Sequence, residues 1–414
     1  MENWFAVIDL KSFYASVECR KRGLDPFKTP LVVCDETKGP GALVLSVTPY
    51  LKTKGCKNIM RRFELPKDIE IIYARPNMEQ YVKESTAFNA LLLDYFAPED
   101  WHPYSIDETF IYLSPYLSLY KKNPYELVKS LLREIFDKLG LYATAGIGPN
   151  MFLAKVALDN DAKKMKDRIA MWTKDDIENR LWKIEPITKI WGISSGYERR
   201  LAKLGIHNMY ELAHFPKETL KQELGIIGEQ LHDHANGIDT SLISEQYTPK
   251  DRSFTSGQVF HRDYNKEELP LIIREMSDEL CYRLRKAGVF CKTLGLTVNE
   301  TKPSNRSFSK KRILLFPTND NDKIYNGFLE ILSEFAIENP IRQIFLEVSR
   351  LESVRYIQMS LLEDEENTIK NEKMYKALDE IKEKYGGNSI FRADARREES
   401  TYFERTNQIG GHKK

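Results

Sequence analysis

Short hydrophobic runs alternate with longer amphipathic stretches along the chain as far as Trp172. A short apolar run bounded by turn residues predicts a strand, and apolar positions three or four residues apart predict a helix. Strands are predicted at Trp4–Leu10, Pro30–Cys34, Ala42–Val47, Ile69–Tyr73, Tyr104–Leu113 and Tyr142–Ile147. Helices are predicted at Phe13–Arg22, Met78–Phe96, Tyr125–Leu139 and Met151–Asp161. This order indicates a layered domain of mixed α/β structure.

The pattern changes after Trp172. Residues 174–243 have helical spacing with short glycine-containing turns, and residues 245–253 form a polar linker. Beyond it, strands at Ser256–His261, Thr293–Asn299, Ser307–Leu315 and Ile344–Arg350 are separated by helices at Lys266–Ala287 and Asp322–Phe335. This β-α-β-β-α-β order is that of a ferredoxin-like, split βαβ domain. In the tail that follows, a helix is predicted at Met374–Tyr385, and the rest is expected to be extended or disordered when alone.

The composition is that of a globular protein with several domains. A chain of 414 residues is too long for one compact core, so roughly two to four domains are expected. No apolar run approaches the ~20 residues of a membrane span. The first residues lack the basic and apolar regions of a signal peptide, so a cytoplasmic protein is expected. The five cysteines show no CxxC spacing, which argues against a disulfide framework or a zinc site.

Two acidic motifs about a hundred residues apart each combine carboxylates with a predicted strand. The first, Val-Ile-Asp-Leu-Lys-Ser-Phe-Tyr, contains Asp9, and the second, Ser-Ile-Asp-Glu-Thr-Phe, contains Asp107 and Glu108. Two strands side by side would bring these three acids together. Clustered carboxylates repel one another and resist burial unless cations neutralise them. Three convergent acids suit two Mg²⁺ ions roughly 3.5–4 Å apart, as in enzymes of phosphoryl transfer.

These motifs, together with the order of elements between and after them, resemble the Y family of DNA polymerases, which copy damaged templates. The resemblance covers nearly the whole chain and is greatest to the UmuC-like branch of Gram-positive bacteria, which includes UvrX-like UV-damage repair proteins. It implies a multidomain α/β (α+β) right-hand polymerase. The implied domains are a palm (1–10 and 75–172), short fingers (11–74), a helical thumb (173–244), a linker (245–253), a little finger (254–357) and a clamp-binding motif with a tail (358–414).

The resemblance implies a role for each acid. Asp9 and Asp107 would bridge two Mg²⁺ ions, with Mn²⁺ as an alternative, and Glu108 would complete the site of the ion that activates the primer 3′-oxygen. The backbone carbonyl of Leu10 would bind the nucleotide-associated ion. Removal of any one carboxylate should abolish the chemistry without unfolding the chain, and could even stabilise the metal-free protein by relieving repulsion.

The resemblance also implies a nucleotide site. Tyr14 matches the steric gate that clashes with a ribose 2′-hydroxyl, and Phe13 matches the packed aromatic beside it. The family's phosphate-binding positions are held here by a hydroxyl and by lysines. These are Ser46, Lys52 and Lys163, with Lys164 as an alternative to Lys163 because the local spacing differs by one residue. The short loop over residues 34–42 implies an open site and low fidelity.

DNA contacts are predicted in the two later regions. Glycine turns before two thumb helices are typical of helix–hairpin–helix elements, which direct backbone N–H groups at a phosphate. The net charge of +1 does not itself indicate nucleic acid, but local basic patches can bind a phosphate backbone. The candidate DNA-binding residues are Gly192, Gly225 and Gly228 in the thumb and Arg306, Lys310, Lys311 and Arg312 in the little finger.

A short peptide after the last predicted strand resembles the Gln-x-x-Leu-[Leu/Phe] motif that bacterial polymerases insert into the sliding clamp. Its key residues are Gln358, Leu361 and Leu362. The implied partners are therefore primer–template DNA, a dNTP and the sliding clamp, with a recombinase or accessory subunits as further candidates. Such a protein would be associated with the nucleoid.

Two other functions compete with a translesion polymerase. A nucleotidyl cyclase could use a related two-metal palm, but it needs neither a steric gate nor a grip on a duplex. A catalytically silent DNA-binding or regulatory protein of the damage response would not need Asp9, Asp107 and Glu108 intact. No Gly-rich P-loop or paired His/Cys pattern supports an ATPase or a zinc enzyme.

Overall fold

A computed structural model describes residues 3–245, 249, 252–353 and 365–413. The chain divides into two compact units, Met1–Gln246 (with Lys414) and Tyr247–Lys413. Over the described residues, none of the helices has both the length and the apolar character needed to cross a membrane.

The N-terminal unit contains nine strands and eleven α-helices among its described residues. In chain order they are β1 Phe5–Leu10, α1 Phe13–Lys21, β2 Leu31–Cys34, β3 Leu43–Val47, α2 Pro49–Thr53, β4 Met60–Arg61, β5 Ile72–Ala74, α3 Met78–Leu93, β6 Trp101–Pro103, β7 Glu108–Tyr112, α4 Ser114–Tyr120, α5 Pro124–Leu139, β8 Ala143–Gly148, α6 Met151–Asn160, β9 Ile169–Met171, α7 Asp176–Asn179, α8 Ser195–Ala202, α9 Met209–His214, α10 Lys217–Leu224 and α11 Ile226–Ala235.

A five-stranded sheet in the order β6-β7-β1-β8-β9 forms the centre of this unit. β1 pairs antiparallel with both β7 and β8. The face that carries Val7 and Phe110 packs against α6 in a continuous hydrophobic core. Two glycines of β8 let α6 approach closely, since a Cβ on Gly146 would lie 2.1 Å from the carbonyl oxygen of Ala154. The side chains on this face of the sheet and those of α6 are therefore close neighbours.

The second acidic motif forms a turn, so the strand predicted at Tyr104–Leu113 is confirmed over β7 and wrong over residues 104–107. The chain makes a hairpin from β6 to β7, in which the backbone N–H groups of Tyr104 and Ser105 both donate to the carbonyl of Glu108. Asp107 therefore lies in the turn, and Glu108 begins β7. The acids lie at the start of this strand and at the end of β1, which is the same edge of an antiparallel pair.

Two smaller regions complete the unit. Residues 31–74 form a four-stranded sheet in the order β4-β3-β2-β5, with its own small core. Helices α7–α11 follow the central sheet, and their apolar faces join the core beneath α6. The predicted change from mixed structure to helices after Trp172 is confirmed.

The C-terminal unit begins with a four-stranded antiparallel sheet and two helices. In chain order the elements are β10 Ser253–Tyr264, α12 Leu269–Lys286, β11 Phe290–Glu300, β12 Ser307–Thr318, α13 Asn321–Ser333, β13 Ile341–Glu352, α14 Glu365–Tyr385, α15 Tyr402–Thr406, β14 Gln408–Ile409 and β15 His412–Lys413. The strand order β10-β13-β11-β12 interleaves two split βαβ units. The predicted β-α-β-β-α-β order is confirmed, with longer strands than expected.

The helix predicted at Met374–Tyr385 is confirmed within α14, but the residues after it, which were expected to be extended or disordered, fold against this sheet-and-helix layer. Ser400 and the backbone N–H of Thr401 donate to the buried carboxylate of Glu275 on α12. Arg285 on the same helix makes two contacts with Asp379 of α14. A charged, glycine-containing sequence folds here because α12 supplies the buried partners that the segment lacks when alone.

Candidate active site

The acidic motifs meet at one edge of the central sheet. Asp9 and Glu108 are direct cross-strand partners in the β1–β7 pair, so their side chains emerge on the same face. That face is the one that packs against α6. Asp107 lies beside them in the hairpin turn, where its carbonyl accepts from the N–H of Leu10 at 2.8 Å and its carboxylate accepts from Ser105. The strand register therefore brings all three predicted acids into one site.

Lysines and an aspartate follow the acids on the opposing helix. Lys155 and Asp159 are separated by four residues on α6, so they share a helix face. The ammonium group of Lys155 lies 2.6 Å from Glu108 Oε1 and 3.1 Å from Asp159 Oδ2. Lys163, just after the helix, lies 2.7 Å from Asp159 Oδ1 and 3.5 Å from Asp9 Oδ2. Positive and negative groups thus alternate from Glu108 through Lys155, Asp159 and Lys163 to Asp9.

Burial changes the protonation of the acids in this site. Desolvation raises the pKa of Asp9, Lys163 counteracts it, and Asp107 adds to it. Desolvation also raises the pKa of Glu108, against the lowering effect of Lys155. Burial alone would lower the pKa of Lys163, but Asp9 and Asp159 raise it above its ordinary value. Burial therefore prevails in the pKa of both acids, and the neighbouring lysine opposes it in each case.

The acids fit divalent metal ions in chemical type, because carboxylate and carbonyl oxygens are the donors that Mg²⁺ and Mn²⁺ prefer. Among the described residues, however, no group of three His, Cys, Asp or Glu side chains is arranged to hold a metal ion. The expected convergence of three carboxylates is replaced by ion pairs, since Glu108 contacts Lys155 and Asp9 contacts Lys163. Binding of a cation at Asp9 and Asp107 would require Lys163 to move away from Asp9.

A cleft of about 560 Å³ opens beside the acids. It collects most of the predicted site residues, while Glu108 lies behind it, buried against Lys155. The lining residues include Asp9, Leu10, Phe13, Tyr14, Ser46, Lys52, Asp107 and Lys163. The sequence positions predicted for a metal and a nucleotide therefore border one cavity.

The two aromatic residues differ as predicted. Phe13 is buried, whereas Tyr14 is half-exposed and lines the cleft. The ring of Tyr14 stacks on that of Tyr81, with centroids 4.3 Å apart and planes at 16°. The hydroxyl of Tyr81 donates to Glu18. A stacked ring with a fixed neighbour is a rigid wall for the cleft.

Two lysines line the cleft together with the carboxylates. Lys52 of α2 lines the cleft, and burial lowers its pKa. Lys163, not the alternative Lys164, is the lysine of that pair which lines the cleft. Ser46 is buried, and its hydroxyl accepts from the N–H of Ala15 at 3.4 Å. Lys52 and Lys163 place two positive charges where an anion could enter.

Sequence reasoning missed four residues of this site. From the sequence alone, Lys155 and Asp159 were not distinguished from other residues of the helix. The spacing of four residues between Lys155, Asp159 and Lys163 was nevertheless a signal that they share a helix face. Lys11 lines the cleft and donates to the carbonyl of Lys163. Ser12 also lines the cleft, and its buried hydroxyl has no hydrogen-bond partner among the described residues.

Two of the predicted hairpin glycines precede helices, whereas Gly228, which was predicted to lie in a turn, lies within α11. Gly192 precedes α8, and Gly225 is the N-terminal cap of α11 with a φ of +71°, which favours glycine. A Cβ on Gly228 would lie 2.1 Å from the carbonyl oxygen of Leu220, so this glycine allows α10 and α11 to pack closely. Their contact with DNA stays a prediction.

The predicted basic strand divides between two faces of its sheet. Lys310 and Arg312 form ion pairs with Glu334 at the end of α13. Lys311 lies between them in sequence and pairs instead with Glu347 of β13, at 2.8 Å. Arg306 holds the buried carboxylate of Glu300. Alternation along a strand explains the division, because successive side chains point to opposite faces.

The predicted clamp-binding residues Gln358, Leu361 and Leu362 lie outside the described residues.

Comparison with solved structures identifies the fold as that of the Y-family DNA polymerases. A Y-family polymerase chimera of Dbh and Dpo4 matches with a TM-score of 0.67 and 19% identity, covering 84% of this chain and 99% of the chimera. The model of the impB/mucB/samB family matches residues 8–159, and that of the family's C-terminal domain matches residues 251–361. The chain belongs to this family, which confirms the UmuC-like Y-family resemblance seen in the sequence.

Relatives of known name align over nearly the whole chain. The "Putative UV-damage repair protein UvrX" of Bacillus subtilis (strain 168) is 35% identical over 98% of this chain and 96% of the relative. "DNA polymerase IV 2" of the same strain is 32% identical over 99% of this chain and 98% of the relative. "DNA polymerase IV" of Pelotomaculum thermopropionicum is 28% identical over 93% of both chains.

Proposed function

We propose that this protein is a DNA-directed DNA polymerase of translesion synthesis, which adds a dNMP to a primer 3′-hydroxyl opposite damaged template bases. The observation that carries the proposal is the cleft itself. Its lining includes the carboxylates of Asp9 and Asp107, the lysines Lys52 and Lys163, and the ring of Tyr14, which stacks on Tyr81. Full-length relatives named DNA polymerase IV and a Y-family fold support the same activity.

The carboxylates would hold the metal ions of the reaction. Y-family polymerases generally depend on divalent metal ions, and we propose two Mg²⁺ ions, with Mn²⁺ as an alternative, held by Asp9, Asp107, Glu108 and the carbonyl of Leu10. Such ions lower the pKa of the attacking hydroxyl and neutralise the leaving pyrophosphate. The chain itself contributes the fixed strand register that sets the spacing of Asp9 and Glu108.

The lysines and the aromatic wall would bind the nucleotide. Lys52 and Lys163 would present ammonium groups to the triphosphate. Ser12 at the start of α1 and Ser46 on β3 would supply hydroxyls. Lys163 would leave the carboxylates of Asp9 and Asp159 and bind phosphate oxygens instead, so its ammonium group would keep an anionic partner. Tyr14 would lie under the sugar and clash with a ribose 2′-hydroxyl, because stacking on Tyr81 prevents the ring from yielding.

The remaining predicted contacts concern DNA and protein partners. We propose that primer–template DNA contacts the α8 and α11 hairpins through the N–H groups that follow Gly192 and Gly225. In the C-terminal unit, Lys311 is the residue of the basic strand β12 that lies on the sheet face away from α13. It is therefore the first candidate for a phosphate contact. The peptide with Gln358, Leu361 and Leu362 is proposed to bind the sliding clamp. A recombinase or accessory subunits are further candidates.

Primer extension on an undamaged template tests the proposal. Wild-type protein should extend the primer with Mg²⁺ and dNTPs, and Asp9→Ala and Glu108→Ala should not. On a damaged template, the wild type should insert a nucleotide opposite the lesion, and the two variants should not. Absence of extension by the wild type, with duplex binding intact and the sliding clamp added, would favour the silent DNA-binding alternative.

The steric gate has its own test. Tyr14→Ala should raise the ratio of ribonucleotide to deoxyribonucleotide insertion by at least about tenfold. Tyr14→Phe is the matched control, because it keeps the flat ring and should keep the selectivity. An unchanged ratio in Tyr14→Ala would remove Tyr14 from the nucleotide site.

A further inference from the structure

Lys155 is the most deeply buried cation next to the acidic edge of the sheet. Its side chain is 7% exposed, against 41% for Lys163. It lies on α6 among fully buried neighbours such as Ala154 and Val156. A buried ammonium group is retained only where paired carboxylates compensate for its lost hydration. Its partners are Glu108 and Asp159.

The two lysines of the cluster differ in what they can do. Lys163 lines the open cleft and can leave Asp9 for another anion. Lys155 is not among the residues that line the cleft, and its contact with Glu108 lies between α6 and β7. The close packing of α6 on Gly146 and Gly148 fixes the height of Lys155 above the sheet.

We propose that Lys155 and Asp159 are positioning residues of the active site. Lys155 fixes the orientation of the Glu108 carboxylate from behind the cleft, and it stays there throughout the reaction. Asp159 holds Lys155 in place with one oxygen and keeps Lys163 beside Asp9 with the other until the nucleotide arrives. The inference rests on the proposed polymerase function for its kinetic consequences, but the Lys155–Glu108 contact can be tested without it.

The first test measures coupling without metal or DNA. Thermal unfolding in EDTA is compared for wild type, Lys155→Met, Glu108→Gln and the double variant. Methionine keeps the length of the side chain and removes the charge. The proposal expects the double variant to lose less stability than the sum of the two single variants, because each single variant takes one charged partner away from a buried charge. Additive losses would overturn the proposal. If Lys155→Met does not fold, folding of the double variant supports the coupling, and its failure shows a packing role instead.

The second test separates positioning from stability by kinetics. At a temperature where both proteins are folded, Lys155→Met should lower kcat by at least about tenfold and change the KM for dNTP by less than about threefold. Lys155→Arg should recover much of kcat, because it restores the cation. Lys163→Met should instead raise the KM, and the neighbouring Lys164→Met is the matched control with no effect on either constant. Wild-type kcat in folded Lys155→Met would overturn the proposal.

Asp159→Asn completes the kinetic test. It removes the shared anchor of both lysines, so it should lower kcat and raise the KM together. A change in neither constant would remove Asp159 from the positioning role. If the wild type proves to have no polymerase activity, the kinetic arms fail as a group, while the coupling measured in EDTA still decides the Lys155–Glu108 contact.

Discussion

Two buried glutamates, one in each unit, have opposite surroundings. Glu300 on β11 is completely covered and accepts from the side chains of Ser304, Arg306 and Asn339 and from two backbone N–H groups. Glu108 on β7 is almost as buried, yet its cationic partner among the described residues is Lys155 alone. Each glutamate lies at an end of its strand, in an antiparallel strand pair.

The pKa of each carboxyl reflects this difference. Burial alone would raise the pKa of Glu300, but its hydrogen bonds lower it to about 2. For Glu108 the effect of burial prevails, and the pKa is raised. A carboxylate whose oxygens all accept hydrogen bonds has a structural role, whereas one that accepts few hydrogen bonds retains capacity for another ligand. We therefore infer a structural role for Glu300 and propose that Glu108 retains capacity for a ligand of the reaction.

The largest expected effect comes from the acids of the cleft. Asp107→Asn should reduce primer extension by at least about 10³-fold with almost no loss of thermal stability, because Asp107 has no ion pair within the described residues. Glu108→Gln should reduce extension as strongly and also lower the melting temperature, because Lys155 loses a partner. The sequence alone suggested that removal of an acid could stabilise the metal-free protein, whereas the ion pair with Lys155 predicts the opposite for Glu108. Equal stability of both variants would contradict the pairing.

Removal of Arg306, the cation beside Glu300, should affect stability only. Arg306→Ala leaves Glu300 buried without its bidentate partner, so the melting temperature of the C-terminal unit should fall by several degrees. Arg312→Ala is the control, because its pairs with Glu330 and Glu334 lie at the surface. Differential scanning calorimetry of the full chain would distinguish the two. A larger effect of Arg312→Ala on stability would reverse the assignment.

The acid sensitivity of the C-terminal unit should depend on Glu300. Its pKa in the folded protein is about 2, below the ordinary 4.5, so the unfolded state binds the proton more tightly. The stabilising contribution is present above the ordinary pKa and is lost as the pH falls toward 2. Unfolding followed from pH 5 to 2 should show a smaller loss of stability in Glu300→Gln than in wild type. Parallel curves would show that Glu300 does not titrate in this way.

The smallest effect concerns the basic strand. Lys311→Ala should weaken duplex binding modestly and reduce the slope of log K against log salt by about one. Lys310→Ala should leave the slope unchanged, because Lys310 pairs with Glu334 beside α13. Fluorescence anisotropy at several salt concentrations measures both. Equal slopes for the two variants would mean that the faces of β12 do not determine contact with DNA.

Much of the site could be predicted because chemistry and strand pattern coincide there. Asp9 and Asp107 are polar residues beside apolar strands, and Tyr14 and Lys52 follow at family positions. Lys155 could not be found in this way, because a lysine in a helix is usually at the surface, and its burial depends on the close packing of α6 on Gly146. Only tertiary structure reveals that a charged residue is inside.

The fold was predictable where periodicity is long and unpredictable where elements are short. The split βαβ order follows from long alternating strands such as β11 and from the amphipathic α12. The short strands β4 and β9 and the helix α4 were missed, because a few residues carry no periodicity. The hairpin before β7 was missed because its turn contains the acidic motif. The folding of residues 386–413 depends on buried partners such as Glu275 on α12, which local sequence does not show.

The most direct test of the central claim is single-nucleotide insertion by the wild-type protein with Mg²⁺. Each of the four dNTPs is offered opposite each of the four template bases, with Asp107→Asn in parallel. The account predicts that the template base selects the nucleotide, and that folded Asp107→Asn inserts none. Insertion independent of the template base, or insertion by Asp107→Asn at the wild-type rate, would contradict a template-directed polymerase built on these acids.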